Sequence, residues 1–195
     1  MKSKLLLLTI FLSLTFLANA QLGLHAGLKF GANIDQITGQ SFNNEFSYGY
    51  HAGGFVSLNL SKKFSIQPEV LFSQTQQDTT SQFSQIYNTN KDVSKIKLSY
   101  LSIPVLLSFN PSKLFSIQAG PQYGILLNQN KNLLENGQTA FKTGDFGVVG
   151  GVQLNIAAFK IYGRYIVGLN NINDIDNRDK WKSQSFQIGV GLKLF

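Results

Sequence analysis

Cysteine is absent from all 195 residues. That excludes disulfides and a lipid-modified N-terminal Cys, so an exported chain of this kind takes its stability from elsewhere. Long apolar runs are missing too. After Ala20, nothing approaches the roughly 18–20 consecutive apolar residues that a membrane helix needs. This excludes a helical membrane protein but not a barrel, whose strands turn only alternate residues to lipid. Charge is sparse, at 14% of residues, and no basic run carries interleaved aromatics. Nucleic acid is therefore not an expected partner. No G-x-S-x-G or other nucleophile motif occurs, and no enzymatic activity is expected.

What is present begins with an export signal. Lys2 and Lys4 precede an apolar run at residues 5–17, and Ala18-Asn19-Ala20 follows as a cleavage site. Residues 1–20 read as a signal peptide and 21–195 as a single mature domain. The net charge of +7 falls to +5 once Lys2 and Lys4 are removed.

The mature chain is organised by alternation. From residue 159, Phe159, Ile161, Gly163, Tyr165, Val167 and Leu169 share one face, and Lys160, Tyr162, Arg164 and Ile166 the other. A period of two with unlike faces is that of a strand between two different solvents. Arg164, in mid-strand, would be costly inside a soluble sandwich, whereas a lipid-facing barrel puts it in a polar interior. The same pattern recurs at residues 22–32, 48–60, 64–74, 95–109, 114–127, 144–158 and 183–195. The connections alternate long and short, with polar loops at 33–47, 76–93, 128–143 and 170–182. The expected fold is all-β: an eight-stranded antiparallel transmembrane β-barrel, an up-and-down meander with short turns on one rim and long loops on the other. A soluble eight-stranded barrel would invert the polarity and carry more Lys and Glu outside.

Two details resist the pattern. The outward phase of the fourth strand, carried back, places Lys95 and Lys97 outside as well. Either they lie beyond the hydrocarbon or a bulge shifts the register. Pro68, Pro104 and Pro121 fall within three successive strands, where each must occupy a bulge or remove a ladder hydrogen bond.

Counting from the short turns at about 3.3 Å per residue puts Glu69 and Arg164 at similar height in the lumen. A lumen ion pair is expected there, with Gln118 and Gln153 completing its hydrogen bonds. His25, His51 and Lys29 are further inward polar groups. His25 and His51 lie at different heights, and no metal or other cofactor is expected. Asp174, Asp176 and Asp179 lack the spacing of a calcium loop. Trp181, Tyr48 and Tyr50, near the outer strand ends, suit an interfacial girdle.

Leu101–Pro104, Ala119-Gly120-Pro121, Pro68-Glu69 and the Arg164-Tyr165…Gly168-Leu169…Asn171-Ile172 pattern resemble the PorT-like outer-membrane β-barrel family, as does the terminal Leu-Lys-Leu-Phe. The resemblance spans the mature chain. It implies a porin-like small barrel in the outer membrane of a Gram-negative cell, with periplasmic termini and extracellular long loops. It also implies outer-membrane lipid and the barrel-assembly machinery as partners, the protein partner being unknown. Phe195 matches the terminal aromatic of the assembly signal, although it falls in phase with Lys193 rather than Leu194. The expected role is structural or interactive, with a side-chain-filled lumen. The alternatives are a small-solute porin or ligand-binding barrel, or an accessory component of a secretion system, in which one branch of the family is implicated.

Overall fold

The computed structural model describes residues 23–38, 46–78, 95–129, 144–172 and 182–195. Eight antiparallel strands follow one another around a closed barrel. They are β1 Leu24–Thr38, β2 Ser47–Asn59, β3 Phe64–Asp78, β4 Lys95–Phe109, β5 Phe115–Gln129, β6 Gly144–Ile156, β7 Phe159–Gly168 and β8 Lys182–Lys193. The ring closes between β1 and β8, from Gly27 opposite Lys193 to Thr38 opposite Lys182. Closure leaves no sheet edge, so every wall strand has a partner on both sides.

Polarity is inverted relative to a water-soluble barrel. On β1, Leu28 and Phe30 are 43% and 53% exposed, while Lys29 between them is fully buried. The same holds around the wall: Val70, Ile188 and Val190 face out, while Glu69, Gln118 and Arg164 are buried. A continuous exposed apolar belt of this size is not tolerated by a soluble monomer. It matches the lipid-facing band of a membrane barrel.

The three short turns have local causes. Ser61 Oγ accepts from the backbone N–H groups of Lys63 and Phe64 at 3.3 and 3.0 Å. Ser112 Oγ likewise accepts from the N–H of Phe115 at 3.1 Å. Only two residues join β6 to β7, and Ala157 takes φ 54° to make the reversal.

The strands run further than the loop composition indicates. Asn33 and Asp35, expected in a loop, belong to β1, which continues to Thr38 against β8. β3 continues to Asp78 and β5 to Gln129. The extensions of β3 and β5 are polar on both faces, and that of β1 mixes Ile34 and Ile37 with polar residues, so alternation does not reveal them. β7 ends at Gly168, and β8 stops at Lys193. Phe195 therefore lies beyond the last strand, 67% exposed, and its phase with Lys193 does not place it in the lumen. Its carbonyl still accepts from the Ala26 N–H at 3.2 Å.

Lys97 is exposed on the outer face at the long-loop end of β4. The register does shift nearby, with Ser99 opposite Asn128 and Tyr100 opposite Leu126. The extra residue is Leu127 on β5, so the bulge does not turn Lys97 inward. The prolines occupy no bulge. Pairing lapses opposite Pro68 on β2, opposite Pro104 on β3 and opposite Pro121 on β4, with equal residue counts on both strands. Pro68 faces Val105, and Pro104 faces Gln122, next to Pro121. The three missing donors are thus gathered into one patch of wall beside Glu69.

A plugged lumen as the candidate functional site

The middle of the lumen is built by inward residues of β1, β2, β3 and β7. Glu69, on β3, is its hub. Glu69 Oε1 accepts from Lys29 Nζ at 2.6 Å and from Gln67 Nε2 at 2.8 Å. Arg164 Nη1 donates to Oε2 at 2.9 Å and Nη2 to Oε1 at 3.3 Å. The three charged side chains are essentially inaccessible to solvent. A buried carboxylate with four donors is satisfied, but two cations share it. The ring of Tyr162 supplies the remaining compensation. Lys29 Nζ lies 4.2 Å and Arg164 Cζ 4.4 Å from its centroid, within the range where the quadrupole of an aromatic face attracts a cation.

Tyr162 also ties the ion pairs to a second network. His51 Nε2 contacts the Tyr162 hydroxyl at 2.6 Å, and His51 Nδ1 contacts Asn33 Oδ1 at 2.5 Å. Both ring nitrogens are thereby engaged. Small residues make the room. A Cβ at Gly31 would collide with the His51 ring, one at Gly27 with Phe55, and one at Gly189 with the Tyr162 hydroxyl.

The plug divides the lumen in two. Toward the long loops lies a cavity of about 100 Å³, lined by Asp35, Tyr100, Asp145 and Gln187 together with Leu98 and Ile172. Toward the short turns lies one of about 800 Å³, lined by Ser, Asn, Gln and Lys side chains. Lys29, Glu69, Tyr162 and Arg164 line neither.

Glu69 and Arg164 therefore meet as their heights indicate, but the residues expected to complete their hydrogen bonds do not. Gln118 donates to Ser108 Oγ at 3.0 Å and Gln153 to Asn155 Oδ1 at 2.8 Å, both in the short-turn half. Gln67 takes their place. His25 lines the mouth of the larger cavity, away from His51. No group of three His, Cys, Asp or Glu side chains with metal-binding geometry occurs among the described residues. The pairing of Lys29 with Glu69, and the central place of Tyr162, are additions of the structure. Both residues are on inward faces in the sequence pattern. Tyr162, two residues from Arg164 on β7, is countable from the same turn, but parity and height do not show that its ring covers both cations. Lys29 starts from no turn, and strand tilt keeps residue number on β1 from translating to its neighbours' height. Tyr50 and Tyr165 donate to Gln74 and Gln184 at the long-loop end, and Tyr48 beside them is exposed. This is the girdle position. Asp174, Asp176, Asp179 and Trp181 lie outside the described residues.

Residues 18–174 match the outer membrane protein beta-barrel domain family. The chain belongs to that family. Solved structures show the same fold. The attachment invasion locus protein Ail of Yersinia pestis, in complex with the heparin analogue sucrose octasulfate, is 13% identical to this outer-membrane barrel, with a TM-score of 0.54. That likeness covers 88% of this chain and 99% of Ail. Neisserial surface protein A is 11% identical at a TM-score of 0.57, over 87% of this chain and 97% of that one. No curated protein matches the sequence of this outer-membrane barrel.

Proposed function

We propose that this outer-membrane barrel is a non-enzymatic structural or surface-interaction protein whose lumen is closed by the Lys29–Glu69–Arg164 plug. The observation that carries this reading is the inaccessibility of all three charged side chains. Eight strands enclose an interior that side chains can fill, and here a fully bonded carboxylate fills it. Against the alternative of a small-solute porin stands the position of the plug, whose three charged side chains line neither cavity.

In this reading residues 1–20 are an export signal, the short turns and both termini face the periplasm, and the long loops face outward. The partners are outer-membrane lipid, against the apolar belt, and the barrel-assembly machinery, which would meet the exposed Phe195. The PorT-like branch rests on the resemblance of the Leu101–Pro104, Ala119–Pro121 and Arg164–Ile172 segments. A deletion strain with undiminished secretion of exported proteins would count against the accessory role in secretion.

Planar-bilayer conductance of the refolded protein tests the plug. The wild type is expected to give no steady channel and Arg164→Ala to leak. Steady wild-type channels would overturn the reading in favour of solute transport.

A further inference from the structure

The larger cavity, at the short-turn mouth, is charged with one sign. Each of the three short turns brings lysine to it: Lys62 and Lys63 between β2 and β3, Lys113 between β4 and β5, and Lys160 just after the β6–β7 turn. Lys193, at the end of β8, and His25 complete the lining charge. Lys160, Lys193 and His25 stand close enough to act on one another electrostatically. Lys160 Nζ is held by Asn155 Oδ1 at 3.1 Å, so its charge is fixed toward the cavity rather than free to leave it. Among the described residues no Asp or Glu lines this cavity. The carboxylates of Asp35 and Asp145 line the opposite cavity, and that of Glu69 is consumed in the plug.

Like charges converging on a concave, low-dielectric wall focus the field and raise the local concentration of counter-ions. We infer that the short-turn mouth is a binding site for a multiply charged phosphate-type oxyanion, held by Lys160 and Lys193 within the cavity and by Lys62, Lys63 and Lys113 at its rim. Lysine suits this role as a compact point charge with rotatable donors. The neighbouring Ser, Asn and Gln side chains give further donors, and about 800 Å³ is enough for a ligand larger than one phosphate. Such phosphate arrives either on a soluble molecule or on a lipid headgroup.

The experiment is calorimetric titration of the full refolded barrel, in zwitterionic detergent at low salt, with inorganic tripolyphosphate. Saturable one-to-one binding that weakens with added salt is expected. The Lys160→Gln/Lys193→Gln variant should bind about tenfold more weakly. So should Lys62→Gln/Lys63→Gln, whose exposed turn can change without disturbing the packing. Lys97→Gln, at the other end of the barrel, should bind as the wild type does. Absence of saturable binding, or an equal loss in Lys97→Gln, would overturn the proposal. Repeating the titration in nanodiscs identifies the source. Affinity unchanged by phosphatidylglycerol assigns the site to a soluble oxyanion, and competition by that lipid assigns it to a headgroup. Neither result depends on whether the lumen conducts.

Discussion

Arg164 and Glu69, 95 residues apart in the chain, meet through two hydrogen bonds inside the barrel, and Lys29 joins the same carboxylate from a third strand. Removing the carboxylate alone leaves two cations facing each other away from water. Glu69→Ala should therefore cost about 3–5 kcal/mol, the penalty of an uncompensated buried charge. Urea titration of the refolded protein in detergent measures it. In the double-mutant cycle with Arg164→Ala, the effects should be strongly non-additive. Additive effects would show that the pair does not support the wall.

Tyr162→Phe keeps the ring over Lys29 and Arg164 and deletes only the hydroxyl. His51 Nε2 then loses its 2.6 Å partner in a buried site. The expected cost is about 1–3 kcal/mol. His51→Phe in the Tyr162→Phe background should add less than it does alone, because the bond is already gone.

Gly31→Ala is predicted to destabilise by about 1–3 kcal/mol, the usual cost of overpacking. The added methyl would meet both the His51 ring and the Ile188 carbonyl. Gly54→Ala, on the same sheet but with only one neighbour near the new methyl, should be tolerated. Thermal melts of the two proteins in the same detergent compare them directly.

Ala157→Gly should stabilise the barrel by about 1 kcal/mol, since φ 54° strains a residue with a Cβ and not glycine. A higher urea midpoint with unchanged slope is the expected signature. A lower midpoint would mean that the entropy of the unfolded chain outweighs the relief.

Val70→Lys tests the lipid face. Val70 is 52% exposed, one residue from the buried Glu69 and thus at mid-height on the opposite side of the wall. Folding into lipid bilayers should weaken by about 2–4 kcal/mol. An unaffected protein would place Val70 outside the hydrocarbon.

Strand number, the rhythm of long and short connections, and the face each residue takes all follow from alternation, which is local. A side chain's face depends only on parity along its own strand. Hence Lys29 reads as inward from its own strand alone, and it is buried. Where the strands ended was less legible, because Asn33 and Asp35 read as loop residues although the ladder continues through them. Composition does not distinguish a strand above the membrane from a loop.

What only the tertiary structure decided is which inward residues meet. Glu69 and Arg164 could be counted up from short turns, whereas Lys29 follows the N-terminal end of β1 with no turn to fix its height. Gln118 and Gln153 take the inward face that parity indicates yet sit too near the short turns, so Gln67 bonds Glu69 instead. Parity is a property of one strand. Height in the lumen is set by the tilt and stagger of all eight, and these are fixed only when β1 closes on β8.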